Sequence, residues 1–226
     1  MTTDTLTPQT RTLGIDVWLD VMCPFCYIGD TELVRALEQF PHRDAVTIRY
    51  HSYQLMPELP HDHPVDLNEL LASRRGVSPA QAAAMNNGIA ERGKSLGLEY
   101  RFDLVHTINT RTAHRLIQHA GDAGRQHELV QRLFRAYFTD GLNIADPDTL
   151  AGLAVEVGLD REAALAALED AELDRRIDED IAQAAQLGIR GVPFFVLDGR
   201  YGVSGAQQVD AFQQALDQAW AGEEDR

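Results

Sequence analysis

Cys23 and Cys26 are the only cysteines in the chain, and they stand two residues apart in Val21-Met22-Cys23-Pro24-Phe25-Cys26-Tyr27. A pair at this spacing can close a disulfide within one helical turn, or it can supply half of a zinc site. The first chemistry needs a sulfur that ionises readily, and the second needs two further ligands. With no third cysteine, histidines would have to complete the metal site. His114-x4-His119 has a loose form of the spacing but lies far down the chain, and His61-Asp62-His63 sits in a proline-flanked loop. Thiol–disulfide exchange without a metal is therefore the chemistry to which the pair points. Two inert core cysteines are the remaining alternative.

The flanking sequence says how such a pair is held. Ile15 to Val21 is rich in β-branched and aromatic residues and reads as a strand. Leu33, Val34, Leu37 and Phe40 then recur at helical spacing, so a helix starts at the cysteines. Pro24 falls at the first helical position, where its missing N–H costs nothing. Cys23 is thereby placed at the helix mouth, where unsatisfied N–H groups and the positive dipole end favour a thiolate. The expectation is an exposed, low-pKa nucleophile at Cys23. Cys26, more buried and less acidic, is expected to resolve the mixed disulfide.

The remaining elements follow from periodicity and punctuation. Val46 to Tyr53 reads as a second strand, and a loop carrying Pro57, Pro60 and Pro64 follows it. From Asp66 to Leu187 the chain is Ala-, Leu-, Glu- and Arg-rich. Helices are expected at Leu67–Arg75, Pro79–Leu96, Thr110–Ala123, Gln126–Thr139, Pro147–Val157, Arg161–Ala171 and Leu173–Leu187. Ser78-Pro79, Asn109-Thr110 and Asp146-Pro147 signal starts, while Gly76, Gly97, Gly124, Gly141, Gly158 and Gly188 signal stops. Strand signals return at Gly191 to Leu197, with a turn at Asp198-Gly199 and a partner strand at Tyr201 to Ser204. Gln207 to Trp220 closes as an amphipathic helix with Val209, Phe212, Leu216 and Ala219 inward. Met1 to Thr12 is expected to be a disordered lead-in, and Glu223-Glu224-Asp225 a solvated tail.

Composition narrows the function classes. The 226 residues are 44% hydrophobic, enough for a sizeable core. Twenty basic against 35 acidic residues give a formal charge of −15, which argues against nucleic acid and anionic membranes as partners. No apolar run reaches the roughly 18 residues of a membrane span. The polar, threonine-rich start has no apolar core of the kind a secretory signal needs, so a cytoplasmic protein is expected. In that compartment a cysteine couple is catalytic or redox-sensing rather than a structural staple.

The order of elements is strand, helix, strand, helical block, strand-turn-strand, helix. With C-x-x-C after the first strand and Val192-Pro193 before the third, this α/β order resembles the thioredoxin fold with an inserted all-helical domain, as in the DsbA family. Within that family the chain resembles the cytosolic FrnE-like branch. The resemblance is carried by Asp20 to Gly29, by Asn109-Thr110-Arg111-Thr112-Ala113-His114-Arg115, by Gly191 to Val196, and by Val203-Ser204-Gly205-Ala206-Gln207. It implies a thioredoxin-like domain over residues 13–65 and 188–222 and an inserted helical domain over 66–187. It also implies a cis peptide at Pro193, lying with Val192 against Cys23 and pairing with an extended substrate backbone. The helix that begins near Asn109 would line the groove above Cys23. Asn109 and His114 then become candidate substrate contacts, beside Pro24, Phe25 and Val192. From the residues alone, Asn109 is a helix cap and His114 a packing histidine. Asp20 is either a partly buried carboxylate that moves protons for Cys26 or an exposed acid at a strand end. Phe25 adds apolar surface and no charge beside Cys23, so the couple is expected to be moderately oxidising.

The leading expectation is a disulfide oxidoreductase acting on protein or small-thiol disulfides, as a monomer or homodimer. It needs no cofactor beyond its own couple, and glutathione is a candidate co-substrate. Two other classes share the architecture: glutathione-dependent enzymes of the kappa-transferase and 2-hydroxychromene-2-carboxylate isomerase type, and a redox-regulated, chaperone-like binding protein. The first resembles enzymes with serine at the position of Cys23, so the cysteine pair argues against it.

Overall fold

The structure, a computed structural model, describes residues 11–222. The first ten positions of the expected lead-in and the Glu223-Glu224-Asp225 tail lie outside the described residues. Arg11, at the end of that lead-in, lies over the Trp220 ring at 3.9 Å, so the packed chain begins earlier than expected.

A four-stranded sheet runs in the order β2-β1-β3-β4, with β1 at Leu13–Leu19, β2 at Val46–Ser52, β3 at Phe194–Leu197 and β4 at Tyr201–Ser204. β1 is parallel to β2 and antiparallel to β3, and β3 is antiparallel to β4. The parallel pair needs a crossover, which helix α1 (Pro24–Gln39) supplies. The β3–β4 connection places Asp198 and Gly199 at φ 54° and 64°, the paired left-handed conformations of a tight hairpin.

Both strands at the site depart from the sequence pattern for local reasons: β1 has the expected length but lies two residues earlier, and β3 is shorter. β1 ends at Leu19 because the Asp20 carbonyl turns to accept the Cys23 N–H at 3.0 Å. β3 starts only after Pro193, which has no N–H to give the ladder.

Between β2 and β3 the described chain is helical: α2 (Leu67–Arg75), α3 (Pro79–Ser95), α4 (Arg111–Asp122), α5 (Gln126–Phe138), α6 (Pro147–Glu156), α7 (Arg161–Ala167) and α8 (Ala171–Gln186). Helix α9 (Val209–Ala221) closes the chain against α1. Ser78 and Asp146 cap their helices as the sequence signals predict, and Asp66 caps α2 without having been signalled. Asp160 and Asp170 cap as well, and the second of these ends the expected Arg161–Ala171 helix early by starting α8. Each such cap stabilises its helix by about 1 kcal/mol.

The helical block has no core separate from that of the sheet. One apolar cluster runs from Ile15 and Leu19 through Ile28 and Leu33 to Leu116, Phe134 and Leu150. Polar groups fix the seam between α8 and the sheet. Asp180 accepts from the Ser52 N–H at 2.8 Å and from Gln118 Nε2 at 2.6 Å, and it meets His51 Nδ1 at 2.6 Å. The other ring nitrogen of His51 lies 2.7 Å from Asp16, and Trp18 stacks on the ring at 4.3 Å.

Burial alone would push His51 down, but its hydrogen bonds to Asp16 and Asp180 and their charges outweigh it, so protonation is favoured above the usual value of 6.5. A histidine raised in the folded state contributes stability that is complete below its unfolded pKa and is lost as pH rises through the folded one. Chemical denaturation of the wild type should therefore show stability falling from about pH 6.5 upward. In His51→Gln that fall should flatten.

Candidate active site

Cys23 is the N-cap of α1, with Pro24 in the first turn behind it, as the spacing predicts. Its carbonyl accepts the Cys26 N–H at 3.0 Å, which closes the first turn of the helix. The Cys23 sulfur lies 3.6 Å from the carbonyl oxygen of Val192, and the Val192–Pro193 peptide is cis. Sequence positions 169 apart meet here because β1 and β3 are neighbours in the sheet.

Gly29 is what allows the meeting. A Cβ there would stand 2.9 Å from Pro193 Cγ, and 3.3 Å from both Ala206 Cα and the Phe195 ring. Only hydrogen at this position lets α1 lie against the Pro193 turn, which Gly205 N–H holds by donating to the Pro193 carbonyl at 2.9 Å. Tyr100 fixes the other side of the helix start, since its hydroxyl donates to the Pro24 carbonyl at 2.7 Å. Gly93 leaves room for that ring, because a Cβ there would fall 2.3 Å from it.

The two sulfurs have different surroundings. Cys26 is 1% exposed, and its burial pushes the thiol well above the usual range. Its hydrogen bond to Cys23 and the charges of Cys23 and Asp20 push the same way, against a smaller opposing contact from the Asp20 backbone. Cys23 is 4% exposed, which corrects the expectation of an exposed thiol. It is reached instead from a cavity of about 390 Å³, on whose wall it lies.

The even alternative at Asp20 is resolved in favour of burial. Its carboxylate is fully buried, accepts the Leu55 N–H at 2.8 Å and the Met22 N–H at 3.4 Å, and meets His114 Nε2 at 3.3 Å. His114 is 0% exposed and Asn109 is 2% exposed, so both residues that the resemblance makes candidate substrate contacts are buried. Asn109 caps from just outside α4, accepting the Arg111 N–H at 2.9 Å, and its amide holds the Pro57 and Leu59 carbonyls. His114 faces inward to Asp20 because it shares the buried stripe of α4 with Ala113 and Ile117. Arg111 and Arg115 point the other way and pair with Asp174 on α8, each at 2.8 Å. Phe25 is exposed at the cavity edge with Pro24 half-buried next to it, and Val192, against Cys23, is half-buried as well.

Sequence reasoning missed Tyr100 and Gly93, and it missed the rest of the cavity wall. Leu55 and Met56, α2, α3 and the 102–105 loop supply that wall. The only available signal was the density of methionine and leucine in α2, α3 and the loop before them. That pattern does not distinguish a pocket from a core.

A pair of sulfurs on a strand-to-helix turn, one on a cavity wall beside a cis proline and one sealed behind it, defines a thioredoxin-fold redox site. The family model for the DSBA-like thioredoxin domain matches residues 14–217, and the chain belongs to that family. It is similar to a probable DsbA oxidoreductase of Streptomyces coelicolor, with 38% identity and a TM-score of 0.87 over 92% of this chain and 90% of that one. An uncharacterized Bacillus subtilis protein, YwbO, is 29% identical over 91% of this chain and 96% of its own length. The cytosolic disulfide reductase DsbM of Pseudomonas aeruginosa shares the fold at 19% identity, with a TM-score of 0.64 over 94% of this chain and 98% of that one.

Two measurements check this geometry. At about pH 7.5, iodoacetamide should leave Cys26 of the reduced protein unlabelled until the chain is unfolded, because the reagent takes the thiolate. Gly29→Ala should lower stability to urea by about 1–3 kcal/mol, as overpacking against a fixed turn does.

Proposed function

We propose that the protein is a thiol–disulfide oxidoreductase working through Cys23-Pro24-Phe25-Cys26. What carries the reading is the asymmetry of the pair: Cys23 faces a cavity at a helix N-terminus, while Cys26 is sealed behind it with its thiol pushed up. In the reducing direction Cys23 attacks one sulfur of a substrate disulfide and expels the other as a thiolate. Cys26 loses its proton, attacks Cys23 in the mixed disulfide and releases the second substrate thiol. The protein is left with a Cys23–Cys26 disulfide, and the substrate has gained two electrons.

Asp20 receives the Cys26 proton in this scheme. It is a buried carboxylate beside that thiol, held by His114 and two backbone N–H groups. Val192 and Pro193 present the backbone against which the substrate lies. The couple needs no further cofactor. The moderate potential expected from Phe25, a cytoplasmic location and membership of the FrnE-like branch belong to the same proposal. Glutathione is a candidate to return electrons to the oxidised pair, since the fold neighbour DsbM is also known with GSH.

Cys23→Ser should abolish reduction of insulin disulfides, whereas Cys26→Ala should accumulate mixed disulfides on Cys23 that mass spectrometry identifies. Full activity in Cys23→Ser would remove the reading. Glutathione-dependent turnover independent of Cys26 would point to the transferase or isomerase class instead.

A further inference from the structure

The geometry points to a small-molecule substrate: an apolar thiol or disulfide whose far end is a carboxylate, received in the cavity before Cys23 with that carboxylate on Arg75. The inference rests on the exchange chemistry proposed above and adds the class of compound exchanged. At about 390 Å³ the cavity lies in the range of small-ligand sites and exceeds what one side chain fills. The turn at Met22 to Phe25, the Leu55–Met56 loop, α2, α3, the 102–105 loop and the end of α5 all contribute to its wall. Walls from so many sides suit a compact body rather than a chain laid along a strand edge. Three of the large apolar residues left exposed, Phe25, Leu55 and Met85, edge this same cavity.

Polar groups on the wall are few, and most are committed. Asn86 donates to Asn68 at 3.2 Å, and Arg74 pairs with Glu58. Arg75 has no carboxylate partner among the described residues. In a chain of net charge −15, an unpaired guanidinium at the edge of an apolar cavity is a carboxylate receptor. A peptide thiol such as glutathione, the candidate electron donor above, would meet the oxidised pair along the Val192–Pro193 backbone and not in this cavity, because its second carboxylate, ammonium and amides would lose water against apolar side chains without replacement partners.

The step balances as ordinary exchange. The reduced pair and R–S–S–R′ give R–SH, R′–SH and the Cys23–Cys26 disulfide, and two equivalents of a second thiol, R″–SH, return the pair to its reduced form and leave as R″–S–S–R″.

The test presents the reduced full chain with three disulfides, those of mercaptohexanoate, aminohexanethiol and mercaptoethanol. Each rate is divided by the rate of the same disulfide with dithiothreitol. The carboxylate compound should react on the order of tenfold faster than its amine counterpart. Arg75→Ala should bring that ratio close to one, and Arg75→Lys should keep part of it. Equal rates across the series would overturn the inference, as would an unchanged ratio in Arg75→Ala. So would a peptide disulfide flanked by leucine and phenylalanine that outpaces mercaptohexanoate. If even the mercaptoethanol disulfide is not reduced, the exchange reading itself fails. Calorimetry of octanoate with Cys23→Ala then decides the cavity separately: binding that is lost on adding Arg75→Ala supports the carboxylate site, and absence of binding refutes it.

Discussion

Helix α1 can lie against the Pro193 turn only because Gly29 has no side chain, and the geometry of the redox pair follows from that contact. With α1 in place, Cys23 reaches the Val192 carbonyl and Cys26 is driven beneath the surface. Any side chain at position 29 would lift the helix start from β3 and separate two groups far apart in sequence. Tyr100 secures the same helix from the opposite side through the Pro24 carbonyl. A glycine contact and a phenol hydrogen bond thus clamp one helical turn between the sheet and the helical block.

Burial then divides the labour of two chemically identical groups. Removing Cys26 from water penalises its anion, and the neighbouring charges of Cys23 and Asp20 add to the penalty. Asp20 is itself removed from water, but two backbone N–H groups and His114 compensate it. A carboxylate so held does not wander, which is what proton exchange with an adjacent thiol requires.

Much of this was legible in the sequence because its signals are local. Pro24 after Cys23 placed the helix start, glycines placed the helix ends, and Asp198-Gly199 placed the hairpin. The fold class followed from element order together with the family resemblance carried by C-x-x-C and Val192-Pro193. Other features depend on tertiary partners and leave little trace in one sequence. Asn109 and His114 could be assigned to a helix, but whether they faced a groove or the core depended on where Pro57 and Asp20 came to rest. The burial of Cys23 depended on tertiary packing that no local signal records. The cavity was invisible because its apolar wall is assembled from residues that read, one helix at a time, as ordinary core.

The parts of this site also differ in how freely they can change. The sulfurs, Asp20 and the Pro193 turn sit on the sheet and α1, where each is locked to several others. Much of the cavity wall comes from α2 and α3, which pack on each other and meet α1 mainly through α3. Apart from Gly93, whose missing side chain makes room for Tyr100, residues on that hairpin can drift without disturbing the cysteines. Relatives that share this electron-transfer apparatus can therefore serve quite different clients, and their selectivity should be sought in the hairpin rather than in the motif they have in common.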